Sequence, residues 1–104
     1  SYNNLSNIYQ DLGQFDRALE FQEKALRIKE TVLDRNHPDL ARSYNNLSTI
    51  YLNLGQPEQA LQFQEKALKI RETVLDQNHP DLGRSYNNLS NIYQDLGQFD
   101  RALE

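Results

Sequence analysis

The sequence predicts an all-α chain, a solenoid of antiparallel helix pairs. Three observations predict it. The opening segment, SYNNLSNIYQDLGQ from Ser1, returns at Ser43 as SYNNLSTIYLNLGQ and at Ser85 letter for letter, a period of 42 residues. Each period carries two apolar stripes stepped by three and four residues, as two amphipathic helices require. Glycine and proline fall between the stripes, where one helix stops and the next starts.

The 104 residues are expected to form one repeat domain. Its parts are residues 1–42 (a repeat whose first helix lacks its start), 43–84 (a full repeat) and 85–104 (a partial third). Copies 1–42 and 43–84 differ at 11 of their 42 positions, and 85–104 is identical to 1–20. No linker-like stretch separates them.

The first helix of the unit, helix A, is seen most completely in HPDLARSYNNLSTIYLNLGQ. Leu40, Tyr44, Leu47, Ile50, Tyr51 and Leu54 lie on one helical face. Asn36 and Asp39 are expected to cap its start. Pro38 suits the first turn, where a missing N–H costs nothing. Gly55 after Leu54 reads as a stop, giving a helix of about 16 residues.

The second helix, helix B, reads from PEQALQFQEKALKIRETVL. Pro57 and Glu58 suit its N-terminal turn. Ala60, Phe63, Ala67, Ile70 and Val74 make a narrow seam, and Leu61, Leu68 and Leu75 widen it on one side. Such a helix of about 19 residues covers two neighbours: its own helix A and the next repeat. Asp76–Pro80 is the loop to the next helix A. Glu65 and Lys69, four apart in the favourable order, add a few tenths of a kcal/mol.

These residues resemble a tetratricopeptide repeat. Tyr44, Leu47, Ser48 and Tyr51 meet the helix A signature, and Ala60 and Ala67 match the two small residues of helix B. Tyr44 stands where Trp is usual, and Gln64 where an aromatic is usual. The 42-residue period exceeds the usual 34. The longer unit with NHPDLARSYNNL resembles the repeats of kinesin light chain and similar bacterial proteins. That resemblance implies a right-handed superhelix whose A helices line a concave surface, and protein–protein interaction as its use.

Every helix A carries an Asn-Asn pair, although asparagine costs a helix about 0.5 kcal/mol relative to alanine. On a wheel centred on Leu47 the apolar set lies within about 60°, and the polar residues take an arc of about 100° on the far side. That arc holds Arg42, Asn45, Asn46, Thr49 and Asn53 in the second copy. It holds Arg84, Asn87, Asn88, Asn91 and Asp95 in the third, and Asn3, Asn4, Asn7 and Asp11 in the first. An amide both donates and accepts, so a ladder of amides grips a peptide backbone whatever its sequence. The resemblance implies that Asn4, Asn46 and Asn88 are the clamping positions. The competing role is a bond between neighbouring A helices that fixes their stacking. Leu52 sits at the arc's edge, where copies one and three have Gln10 and Gln94.

Composition narrows the function further. Eleven basic residues against fifteen acidic give −4, the wrong sign for a nucleic-acid surface. No apolar run approaches the ~18–20 residues needed to cross a bilayer. No signal-peptide pattern is present, there is no cysteine, and a cytoplasmic location is expected. Asn46-Leu47-Ser48 has the form of a glycosylation acceptor, but Leu47 is a core position. His37 and His79 make too small a ligand set for a metal and are expected to cap or pack the loops. The carboxylates do not converge, so neither an enzyme nor a cofactor is expected.

The apolar residues of the last helix A, Tyr86, Leu89, Ile92, Tyr93 and Leu96, are expected to lack a full helix B. The alternative function is therefore self-association, with copies stacking head to tail into a homo-oligomer.

Overall fold

The computed structural model describes residues 2–76 and 78–97. Five helices follow in order: α1 (Tyr2–Asp11), α2 (Phe15–Val32), α3 (Pro38–Asn53), α4 (Pro57–Val74) and α5 (Pro80–Asp95). No strand occurs among the described residues. α1, α3 and α5 are A helices, and α2 and α4 are B helices. The A helices end at Asp11, Asn53 and Asp95, at the 42-residue spacing of the sequence. Each helix packs against its neighbours in the chain, the pattern of a superhelical solenoid of antiparallel pairs.

Local chemistry sets the boundaries. Pro38 and Pro80 open α3 and α5. The side-chain cap is His37, not Asn36: its Nδ1 accepts from the Asp39 N–H at 3.1 Å, and His79 does the same for Asp81. The imidazole reaches the orphan N–H two residues on, and Asn36 lies one residue too early to do so. At the other end Gly55 takes φ 75°, a left-handed turn that glycine adopts without penalty. The Gln56 N–H then reaches the Tyr51 carbonyl at 2.9 Å, and the Gly55 N–H that of Leu52 at 3.1 Å. These are the two bonds of a Schellman close. Gly13 repeats both bonds, and Gly97 has the same φ to within a few degrees.

The core runs through the middle of the stack. Leu26 of α2, Leu40, Ala41 and Leu47 of α3, and Ala67 and Ile70 of α4 form one buried cluster, flanked by Leu19, Tyr44, Tyr51 and Phe63. Ala18, Ala60 and Ala67 are wholly buried, so their helices approach closely. The small residue of helix A adds a bond across the pair. Ser48 Oγ donates to the Ala60 carbonyl at 2.8 Å, and Ser6 to that of Ala18 at 2.9 Å.

Two expectations are corrected. Val74 is exposed, because the seam of α4 outruns the start of α3. Phe63 is half-buried while its neighbour Gln64 is fully buried: Gln64 is four residues from Ala60 and three from Ala67, on the same inner face. In α5, Ile92 is buried, Leu89, Tyr93 and Leu96 are half-buried and Tyr86 is exposed; the incomplete helix B expected after them lies outside the described residues.

The asparagine face of the A helices

The polar arc divides into two zones. Arg42, Thr49 and Asn53 of α3, Arg84, Asn87 and Asn91 of α5, and Asn4 and Asn7 of α1 are exposed. Asn45, Asn46 and Asn88 are half-buried, closer to the junction between neighbouring A helices. Asn3 lies on α1 with its side chain outside the described residues.

The half-buried zone is bonded across repeats. Asn88 Nδ2 of α5 donates to Asn45 Oδ1 of α3 at 2.7 Å and lies 3.5 Å from Gln64 Oε1 of α4. The first distance is short and the second marginal, so the Asn88–Asn45 bond dominates. Gln64 Nε2 is buried with no hydrogen-bond partner among the described residues. Some amides thus fix how one A helix sits on the next, while Asn7, Asn53, Asn87 and Asn91 are exposed. Thr49 turns its hydroxyl onto the Asn45 carbonyl at 3.1 Å. Leu52 is half-buried at the arc's edge.

A second inter-repeat bond lay outside the sequence expectations. Arg71 Nη1 of α4 donates to Ser85 Oγ of α5 at 2.7 Å, and Lys29 Nζ of α2 to Ser43 Oγ of α3 at 3.0 Å. Burial lowers the pKa of both cations, and Asp81 and Asp39 respectively oppose that shift. The signal was present: Ser43 lies four residues before Leu47, so it faces the core, and a buried hydroxyl needs a partner.

The same face also shows what is not built. No group of three or more His, Cys, Asp or Glu gathers to hold a metal among the described residues. No described helix is long and apolar enough to cross a membrane. His37 and His79 are engaged as caps.

Paired helices stacked in register, with a recurring polar face, define a helical repeat solenoid. The tetratricopeptide repeat model matches residues 1–73 and 50–104, and the chain belongs to that family. Among solved structures, the chain is similar to nearly identical TPR-like repeats assigned to kinesin light chain in Podosopora anserina. Identity there is 30% with a TM-score of 0.88, over 97% of this chain and 48% of that one. It is also similar to BtubC (BKLC) from P. vanneervenii, at 29% identity and TM-score 0.90, over 97% of this chain and 41% of that one. The chain therefore spans less than half the length of either. The TPR domain of Arabidopsis FLU shares the fold at 16% identity and TM-score 0.83. No curated protein sequence matches.

Proposed function

We propose that the A-helix face binds a segment of a partner protein, in extended or helical form. One observation carries the reading. Exposed hydrogen-bonding side chains recur at one register of successive A helices, as Asn7, Thr49 and Asn91 do. In α3 and α5 the opposite face is closed by Leu47, Ile50 and Ile92. A repeat of amides at fixed spacing suits the repeat of N–H and C=O groups along a peptide backbone. Asn4, Asn7, Asn46, Asn53, Asn87 and Asn91 are the amides assigned to the partner. Thr49, Arg42 and Arg84 flank them, and the exposed Asp11 and Asp95, at the register of Asn53, offset the two arginines. Asn45 and Asn88 serve chiefly to set the spacing between the A helices.

Affinity selection from a random peptide library tests the reading. Enrichment is expected with the wild type and is expected to fall at least about tenfold with Asn46→Ala combined with Asn91→Ala. Circular dichroism checks that both proteins are equally helical. Enrichment unaltered by the double substitution, or none with the wild type, overturns the proposal.

A further inference from the structure

The polar arc of the A helices carries charges as well as amides, and the charges are sorted by position. Arg42 of α3 and Arg84 of α5 lie near the start of their helices. Asp11 of α1 and Asp95 of α5 are the last residues of theirs. All four are exposed. α3 lies between two neighbouring repeats, and its Arg42 and Asn53 are exposed there too, so the openness belongs to the register. Eleven residues separate Arg84 from Asp95, as they do Arg42 from Asn53. Eleven residues make about three turns, so both ends lie on one side of the helix, about 16 Å apart along its axis.

The signs run against helix stability. The start of a helix is its positive pole and the end its negative pole, so a cation near the first and a carboxylate at the last are both disfavoured. Arg42, Asp11 and Asp95 make no ion pair among the described residues, and Arg84 makes only a long one, 3.9 Å to Asp81. Arg42 also belongs to a cationic neighbourhood. Burial first, and Arg42 in addition, lowers the pKa of Lys29 and of Arg71. Asp39 and Asp81 respectively oppose that shift and offset part of the positive charge. Charges that break a local rule on an exposed face point to a partner.

Resting on the proposed role of the A-helix face, we infer that its partner is an extended segment with alternating acidic and basic side chains, lying across the A helices. Successive side chains of an extended chain point to opposite sides. One set then meets Arg42 and Arg84, and the other meets Asp11 and Asp95. The backbone groups between them face Asn46, Thr49, Asn87 and Asn91. A helical segment satisfies its own backbone and leaves those amides little to bind. Asn53 makes the acidic edge weaker at α3 than at α1 and α5, so the basic side chains matter most over the outer two helices.

Fluorescence anisotropy of labelled peptides titrated with the 104-residue chain tests this. One peptide alternates Glu and Lys over about twelve residues, roughly 40 Å when extended. A second has the same composition with all its Glu before all its Lys, and a third is Glu throughout. The alternating peptide is expected to bind at least about fivefold more tightly than either of the others, and the margin to shrink as salt is raised. Asp11→Asn combined with Asp95→Asn gives both helices the residue that α3 already carries at Asn53. It is expected to keep the helicity and to cut the preference for alternation at least about threefold. Equal binding of the alternating and block peptides overturns the inference. So does tighter binding of the all-Glu peptide, or a preference untouched by the double substitution. Library selection that enriches segments without alternation overturns the charge pattern and leaves the role of the face standing. No enrichment at all overturns that role, and the extended segment with it.

Discussion

Ile8 and Ile50 occupy the same place in the repeat, with the same residue types on either side along the inner stripe, yet they live in different surroundings. Ile8 is 53% exposed and Ile50 is completely buried. Ile92, the third copy, is buried like Ile50. What separates them is the helix B that comes before: α2 lies against α3 and α4 against α5, whereas among the described residues none precedes α1. Ser6, Ser48 and their carbonyl partners behave differently. Their bonds run to the helix B of the same pair, and they are buried in both repeats. Half of an A helix is thus completed within its own repeat, and half is completed by the neighbour. The solenoid is a row of interfaces rather than a single core.

The contrast is broken most directly by truncating the two isoleucines. Ile50→Ala is expected to cost about 2–5 kcal/mol, the usual range for a cavity at a buried site. Ile8→Ala is expected to stay within about 1 kcal/mol, because no neighbour closes over it. Guanidinium unfolding followed by circular dichroism reads both. Equal costs would mean that Ile8 is covered in solution.

The inter-repeat latch comes next in size. Arg71→Ala leaves the buried Ser85 hydroxyl without its 2.7 Å donor and is expected to cost about 1–3 kcal/mol. Arg71→Lys copies the Lys29–Ser43 arrangement of the preceding repeat and is expected to recover at least half of that loss. The same unfolding measurement distinguishes a latch that needs any cation from one that needs a guanidinium.

Smaller still is the difference at Gly83, which stands where α3 has the wholly buried Ala41. A Cβ added there meets nothing within 4 Å. Gly83→Ala is therefore expected to stabilise the protein by about 0.5–1 kcal/mol through helix propensity alone. A loss of stability would show that α4 and α5 sit closer in solution.

The least of the effects is a pH dependence at the two equivalent tyrosines. Tyr44 OH donates to Glu30 and Tyr86 OH to Glu72, each at 3.1 Å. The Tyr44 pKa is raised by burial first and by the Glu30 bond second. The Tyr86 pKa is raised first by its bond to Glu72. In both, the folded state holds the phenol proton above the ordinary pKa of about 10. That contribution is complete below the unfolded pKa and fades as pH climbs through the folded one. The unfolding midpoint is expected to decline above about pH 10, and less steeply in Tyr44→Phe. A Tyr44→Phe decline as steep as the wild type would assign the effect elsewhere.

The fold was legible because its rules are local and repeated. The steps of three and four on Leu40, Tyr44, Leu47, Ile50 and Leu54, with Pro38 before and Gly55 after, place α3 within a residue of its observed ends. The histidines at 37 and 79 were expected to cap or pack their loops and do cap, whereas Asn36, the commoner capping type, lies one residue too early. Gln64 was noticed only as a departure from an aromatic. Its burial follows from spacing that agrees with Ala60 and Ala67, but a polar side chain biases the reading outward. The Asn88–Asn45 bond could not be read from the sequence, because it depends on the angle at which α5 crosses α3. The exposed amides were legible as a face, and their chemistry follows from their type.

The left-handed glycine turns have a further consequence. Gly13, Gly55 and Gly97 adopt φ of 75°, 75° and 77°, so each bend between paired helices is the same joint built again. Duplicating a block of 42 codons, wherever its boundaries fall, inserts one more such joint and shifts nothing else out of phase. Length in this architecture can change by copying, without any new folding problem to solve, and evolution can lengthen or shorten the array in single steps.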